Sequence, residues 1–186
     1  MSTSTRITVA EYDAMVGRGD FEPREEHHVE LIHGEILTMS PINPPHNAIV
    51  AELNEWSFEV LPAKAVTVFV QGAVGIPLLD SAPEPDLVWT RRGDYHARHP
   101  SPDDVLLVIE VSDSSLSHDR GLKARLYAEA GLADYWIVNI PDRSIEVRRD
   151  PRGPSYHSIE VVRAGGEVRP LAFPAIALAV ERIFPS

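Results

Sequence analysis

The 186-residue chain has no cysteine, which excludes disulfides and thiolate metal sites. No apolar run approaches the length that crosses a bilayer, so a membrane protein is not expected. The opening residues, MSTSTR, lack the apolar middle of a secretory signal. With the missing cysteine, they predict a cytoplasmic protein. Positive charge is scarce: 17 Lys and Arg stand against 28 Asp and Glu, a formal net charge of -11. Non-specific nucleic-acid binders are usually basic, because phosphate neutralisation dominates their affinity. The balance therefore counts against a simple DNA-coating module. It leaves room for a metal-dependent enzyme, whose clustered carboxylates add negative charge that a cation offsets. Also missing are a phosphate-cradling glycine loop, a nucleophilic serine elbow and a nicotinamide fingerprint.

What is there suits a soluble globular chain. The hydrophobic content is 44%, an ordinary value, and the length is enough for one domain with a real core. No repeat, linker or low-complexity stretch divides the sequence, so residues 1–186 are expected to form a single domain. Arginines gather in two stretches, Arg91, Arg92 and Arg98, then Arg143, Arg148, Arg149 and Arg152. They form either a local positive rim or ordinary solvated loop charges.

Thr8-Val9-Ala10-Glu11 is a capping-box pattern that starts a short helix. Arg18 to Glu26 is polar and loop-like. Val29–Ile32 and Glu35–Met39 flank His33-Gly34 and read as a hairpin. Pro41 to Pro45 breaks the pattern. A helix is predicted from His46 to Leu61, with Ile49, Val50, Leu53, Trp56 and Val60 on one face. Val66–Val70 is a strand, and Ala73–Ile76 continues or pairs with it. Leu87–Trp89 and Val105–Ile109 are apolar throughout, as strands buried on both faces tend to be. The stretch from Arg91 to Asp103 between them reads as an exposed loop. Asp119–Ala130 is a helix that Gly131 ends. Tyr135–Val138 is another buried strand and Ile145–Arg148 alternates. Arg149 to Pro154 is a second loop, and Tyr156–Arg163 alternates again. Gly165-Gly166 turns the chain toward Val168-Arg169. The apolar tail from Ala172 to Phe184 packs back on the sheet.

Three polar residues stand where a packed core would not ask for them. Asp86 opens one apolar strand, Glu110 closes another, and Lys123 follows on the helix. A carboxylate within Val-Ile-Glu-Val-Ser is costly to bury unless it is paired. Two neighbouring carboxylates repel unless a cation joins them. Oxygen-rich sites of this kind suit magnesium or manganese, and such an ion with a nearby ammonium equips a site for phosphodiester hydrolysis. Taken singly, each residue has a plainer reading: Asp86 as a turn cap, Glu110 as a solvated strand end, Lys123 as a surface lysine. Asp113, Ser114, Ser115 and Asp119 are expected to cap the helix, with Asp119 in reach of a metal through water. His27, His28, His33, His96 and His99 lack the spacing of a structural zinc site and read as loop histidines. Tyr127, Tyr135 and Trp136 are expected in the core rather than stacked on bases.

The order of Val-Glu-Leu-Ile-His-Gly-Glu (29–35), Pro-Pro-His (44–46), Pro-Glu-Pro-Asp-Leu (83–87), Val-Ile-Glu-Val-Ser (108–112), Lys123 with Tyr127, and Ala-Asp-Tyr-Trp-Ile-Val (133–138) resembles the Uma family. Its members are bacterial proteins described as putative restriction endonucleases and placed in the PD-(D/E)XK nuclease superfamily. The resemblance runs from about Glu11 to the C-terminus. It implies an α/β fold of the restriction-endonuclease type, a central mixed β-sheet flanked by helices, with a metal site at one sheet edge. Asp86 then supplies the aspartate of the Pro-Asp half and Glu110 the acidic residue of the second half. Ser112 stands where the usual lysine would, and Lys123 on the following helix takes that role. Glu35 and His46 match further polar positions, and Gln71 is expected to face the site. Glu35 is a third metal carboxylate if it points inward, as the resemblance favours, and a plain strand residue if outward. His46 binds phosphate, tunes the metal or shuttles a proton, or else serves as a cap or surface residue.

The resulting expectation is a metal-dependent endonuclease. Asp86, Glu110 and Glu35 hold magnesium or manganese, while Lys123 and His46 assist. The substrate is nucleic acid, with DNA expected. A homodimer would serve two strands. The alternative is a nuclease-fold binding protein with little catalysis, to which the acidic balance and the displaced lysine point.

Overall fold

The fold centres on strands whose side chains are apolar on both sides. The structure, a computed structural model, describes residues 6–22, 28–39, 43–62 and 64–185. The opening residues, Pro23 to His27 and Pro41 lie outside these. In chain order the elements are α1 (Val9–Arg18), β1 (Val29–Ile32), β2 (Glu35–Thr38), α2 (Pro44–Val60), β3 (Val66–Val70), β4 (Leu87–Arg91) and β5 (Val105–Ser112). A short α3 (Leu116–His118) runs through a π-helical turn (Asp119–Lys123) into α4 (Ala124–Glu129). Then follow β6 (Asp134–Asn139), β7 (Ser144–Arg152), β8 (Ser155–Val162), β9 (Glu167–Val168), β10 (Leu178–Ala179) and α5 (Val180–Ile183).

The main sheet has six strands in the order β3-β4-β5-β6-β7-β8. Only β5 and β6 run parallel; the other pairs are antiparallel. Helices flank this mixed sheet, as the fold class expected from the sequence requires. Alternation along each strand sorts its side chains between two faces. Leu107, Ile109 and Val111 of β5 face α2, where Trp56, Trp89 and Trp136 pack together. Val108 faces the other way, toward Leu126 and Tyr127 of α4. The C-terminal tail packs Phe173, Ile176, Leu178, Val180, Ile183 and Phe184 onto the α2 side, as expected.

Local chemistry sets the element ends. Thr8 and Glu11 form the reciprocal capping box of α1. His33 and Gly34 both take positive φ, 50° and 78°, which suits the tight turn of the β1–β2 hairpin. α2 starts at Pro44, two residues before the expected His46, because proline is tolerated in a first turn whose N–H groups have no helical partner. Asn43 caps that turn and accepts the His46 N–H at 3.1 Å.

Several expectations change. Ala73–Ile76 is not a strand: the N–H groups of Val74 and Gly75 donate to the carbonyls of Pro83 and Pro100, and only an isolated bridge joins Ile76 to Ser81. The stretch from Arg149 is not a loop, since β7 continues to Arg152 paired with β8. Asp119 lies inside the helical run rather than ahead of it. The second arginine group forms no free rim. Arg143 donates to the carbonyls of Phe184 and Pro185, Arg148 pairs with Glu146, Arg149 with Asp134, and Arg152 with Asp150. Arg98 is likewise paired, with Asp104. Among the described residues, no helix is long and apolar enough to cross a membrane.

Candidate active site

The antiparallel register of β4 and β5 sets Leu87 opposite Ile109. Asp86 immediately precedes that pair and Glu110 immediately follows it, so the two carboxylates meet at one sheet end. Both are buried, at 8% and 5% exposure. Asp86 Oδ2 accepts the Val111 N–H at 2.8 Å, and His46 Nε2 at the start of α2 stands 3.1 Å from the same oxygen. Among the described residues, Asp86 Oδ1 has no hydrogen-bond donor.

Glu110 Oε1 accepts two donors from the helix, Lys123 Nζ at 2.9 Å and the Tyr127 hydroxyl at 2.7 Å. Lys123 and Tyr127 are four residues apart and so share a helix face. Lys123 also donates to Glu30 Oε1 at 2.7 Å, and that oxygen accepts the Glu84 N–H at 2.9 Å. Among the described residues, Glu30 Oε2 is buried without a partner. Lys123 closes the π turn, a local widening often found at functional sites. At the head of this turn, Asp119 accepts the hydroxyls of Ser112 and Ser115, each at 2.6 Å. Its carbonyl accepts the Tyr135 hydroxyl at 3.0 Å. A cavity of about 390 Å³ is lined by Asp86, Glu110, Lys123, Glu30, His46 and Asp119.

The electrostatics follow from many carboxylates in little water. Burial pushes the Glu110 carboxyl up to about 8; Lys123 pulls it down, but Asp119, Asp86 and Glu30 add to the rise. Burial alone would lower the Lys123 pKa, yet Glu110 and Glu30 together outweigh it and hold the ammonium charged. These two directions agree, because one lysine divides its charge between two acids. Burial likewise favours a neutral His46, but its hydrogen bond to Asp86 and the charges of Asp86, Asp119 and Asp113 raise its pKa. Burial raises Asp119, against the hydroxyls of Ser112 and Ser115.

Of the residues singled out in the sequence, Asp86, Glu110, Lys123 and His46 come together, and Gln71 lines the same cavity. Gln71 adopts a positive φ of 50° and donates its N–H to the Asp86 carbonyl at 3.1 Å. Glu35 does not join them. It is exposed at the start of β2 and pairs across the hairpin with Ile32. Glu30, on the facing strand, is the hairpin carboxylate that enters. Its signal was legible: Val-Glu-Leu-Ile buries a carboxylate in an apolar run just as Val-Ile-Glu-Val does. His28 lines the cavity, as does His118, whose Nε2 is buried without a partner among the described residues. His33 and His99 lie elsewhere, facing Glu129 and Asp13; His27 is outside the described residues. Tyr127 is in the core as expected, and it also holds Glu110.

Among the described residues, no three His, Asp or Glu side chains form a ready-made cation cage. Magnesium does not need one, since it keeps several waters and takes one or two carboxylates. The hard oxygens of Asp86 and Glu110, each carboxylate with one oxygen lacking a hydrogen-bond donor among the described residues, fit such an ion.

Fold and site define a restriction-endonuclease-like protein, with two carboxylates and a lysine at the end of a mixed sheet. The chain belongs to the Uma2 family, described as "putative restriction endonuclease"; the match covers residues 9–181. Among solved structures, it is similar to a crystal structure described as "a putative nuclease belonging to DUF820" from Anabaena variabilis ATCC 29413. The TM-score is 0.71 at 18% sequence identity, over 96% of this chain and 97% of that one, a likeness of fold. No curated protein matches the chain.

Proposed function

We propose that this chain is a metal-dependent endonuclease hydrolysing phosphodiester bonds of nucleic acid, DNA in the first place. In this reading it works as one restriction-endonuclease-like domain in the cytoplasm. The observation that carries the reading is the convergence of Asp86, Glu110 and Lys123 on one cavity from two strands and a helix. The family's description and the fold shared with the Anabaena structure support it.

Asp86 and Glu110 would hold magnesium or manganese. When bound, the ion supplies Lewis-acid polarisation of a phosphoryl oxygen and acidifies a water. Lys123 offsets the negative charge that builds on the phosphate as its bond breaks. Tyr127 fixes the rotamer of Glu110 through its hydroxyl. His46 steadies Asp86 through the contact of its Nε2 with Oδ2 at 3.1 Å. A homodimer would present two such sites to the two strands of a duplex.

The test is cleavage of supercoiled, linear and single-stranded DNA, and of RNA, with magnesium or manganese. Metal-dependent cleavage that disappears in Asp86→Asn and Glu110→Gln supports the reading. Cleavage that survives in Asp86→Ala overturns that residue's role. A folded wild type that shows no metal-dependent cleavage but binds a partner points instead to a nuclease-fold binding or interaction protein, the alternative that the net charge of -11 and the displaced lysine favour.

A further inference from the structure

We infer that Glu30 is a positioning residue: it keeps Lys123 in place when Glu110 is given over to the cation. The inference rests on the metal-dependent reading of the site. Lys123 is 1% exposed, so its ammonium has no water to fall back on and needs a carboxylate at all times. It has two, Glu110 at 2.9 Å and Glu30 at 2.7 Å, and they are not equivalent. Glu110 is the carboxylate that shares its sheet end with Asp86 and is bound by Tyr127. A divalent ion there competes directly with Lys123 for its charge. Glu30 faces Lys123 from a separate hairpin.

That hairpin is pinned where the argument needs it. Leu31 accepts the Ala82 N–H at 2.8 Å, Gly34 donates to the Asp80 carbonyl at 2.8 Å, and Glu30 itself accepts the Glu84 N–H. The loop that carries these contacts delivers Asp86 two residues later, so Glu30 and the metal carboxylate are set by one segment. Among the described residues, Glu30 Oε2 is buried with no partner. A stranded buried acceptor is rare and calls for a reason. Here it is spare acceptor capacity on the carboxylate that already holds Lys123 through Oε1.

The test is calorimetric titration with manganese alone, at one fixed alkaline pH, on wild type, Glu30→Gln, Lys123→Met and the double variant, each checked for folding by circular dichroism. If Glu30 acts through Lys123, removing it throws the ammonium wholly onto Glu110, and manganese affinity falls about tenfold, the scale of a lost outer partner. In the Lys123→Met background the same change has no effect. If Glu30→Gln alone is too unstable to titrate, Glu30→Asp, which keeps the charge but draws it back from Lys123, replaces it in both backgrounds. An equal loss in both backgrounds overturns the inference, because Glu30 would then act on the ion directly. So does the absence of any loss in the wild-type background. Wild type that takes up no manganese overturns the metal reading and this inference together; uptake indifferent to Glu30 and Lys123 overturns only the inference.

Discussion

Lys123 donates to Glu110 across 2.9 Å from a helix, not from the strand that carries the glutamate. Ser112, two positions after Glu110, cannot supply the charge. Its hydroxyl instead ties Asp119 at the head of the π turn that ends in Lys123. The strand position thus helps hold the helix that brings the lysine back. Lys123→Met is expected to lower cleavage by about 10²–10³-fold, the cost of losing one preorganised charge-stabilising group. Arg125→Met, on the same helix but exposed and paired with Glu129, leaves the rate unchanged. Single-turnover cleavage of a plasmid reads both.

The two hairpin carboxylates separate sharply. Glu30 is buried against Lys123 and Glu35 is exposed. Glu30→Ala leaves the buried ammonium with Glu110 alone and is expected to cost about 1.5–3 kcal/mol, the scale of one lost hydrogen bond between charged groups. Glu35→Ala stays within about 0.5 kcal/mol and keeps full cleavage. Urea denaturation with a parallel nicking assay checks the contrast.

Tyr127→Phe removes one of the two donors on Glu110 Oε1 without changing the ring packed against Tyr135. Because the lost bond goes to a buried carboxylate, a cost of about 1.5–3 kcal/mol is expected. Equal stability of the two proteins in urea would mean that this hydroxyl does not hold the glutamate.

The pH dependence of metal-free stability has a definite sign. Glu110 is pushed up to about 8 in the fold, from an ordinary value of 4.5. The folded carboxyl therefore holds its proton more tightly than the unfolded one. Its contribution to stability is complete below about 4.5 and is lost as pH rises toward about 8. Lys123, raised by its two acids, stays charged across that window. Thermal melts in chelator should show wild type losing stability relative to Glu110→Gln over this range. Parallel curves would contradict the assignment.

Much of this was legible in the sequence for one physical reason: a polar residue inside an apolar strand has few places to go. That logic found Asp86 and Glu110 and the strands carrying them. It applied equally to Glu30, but the resemblance drew the choice to Glu35, and hairpin alternation alone could not say which face was covered. Lys123 was the weakest of the three on its own, since a lysine on an amphipathic helix normally faces water; its place after Glu110 and the family's displaced lysine singled it out. The π turn left no mark, because i→i+5 bonding changes register without changing composition. Ala73–Ile76 misled because buried residues such as Val74 and Ile76 look like strand whether or not their N–H groups find a ladder.

The central claim is that Asp86 and Glu110 share one divalent cation. Crystals soaked in manganese and measured for anomalous scattering test it most directly. A peak bridging the two carboxylates, absent in Asp86→Asn crystals, is the predicted result. Density that leaves that sheet end empty while the carboxylates keep their positions, or a peak bound elsewhere, would contradict it.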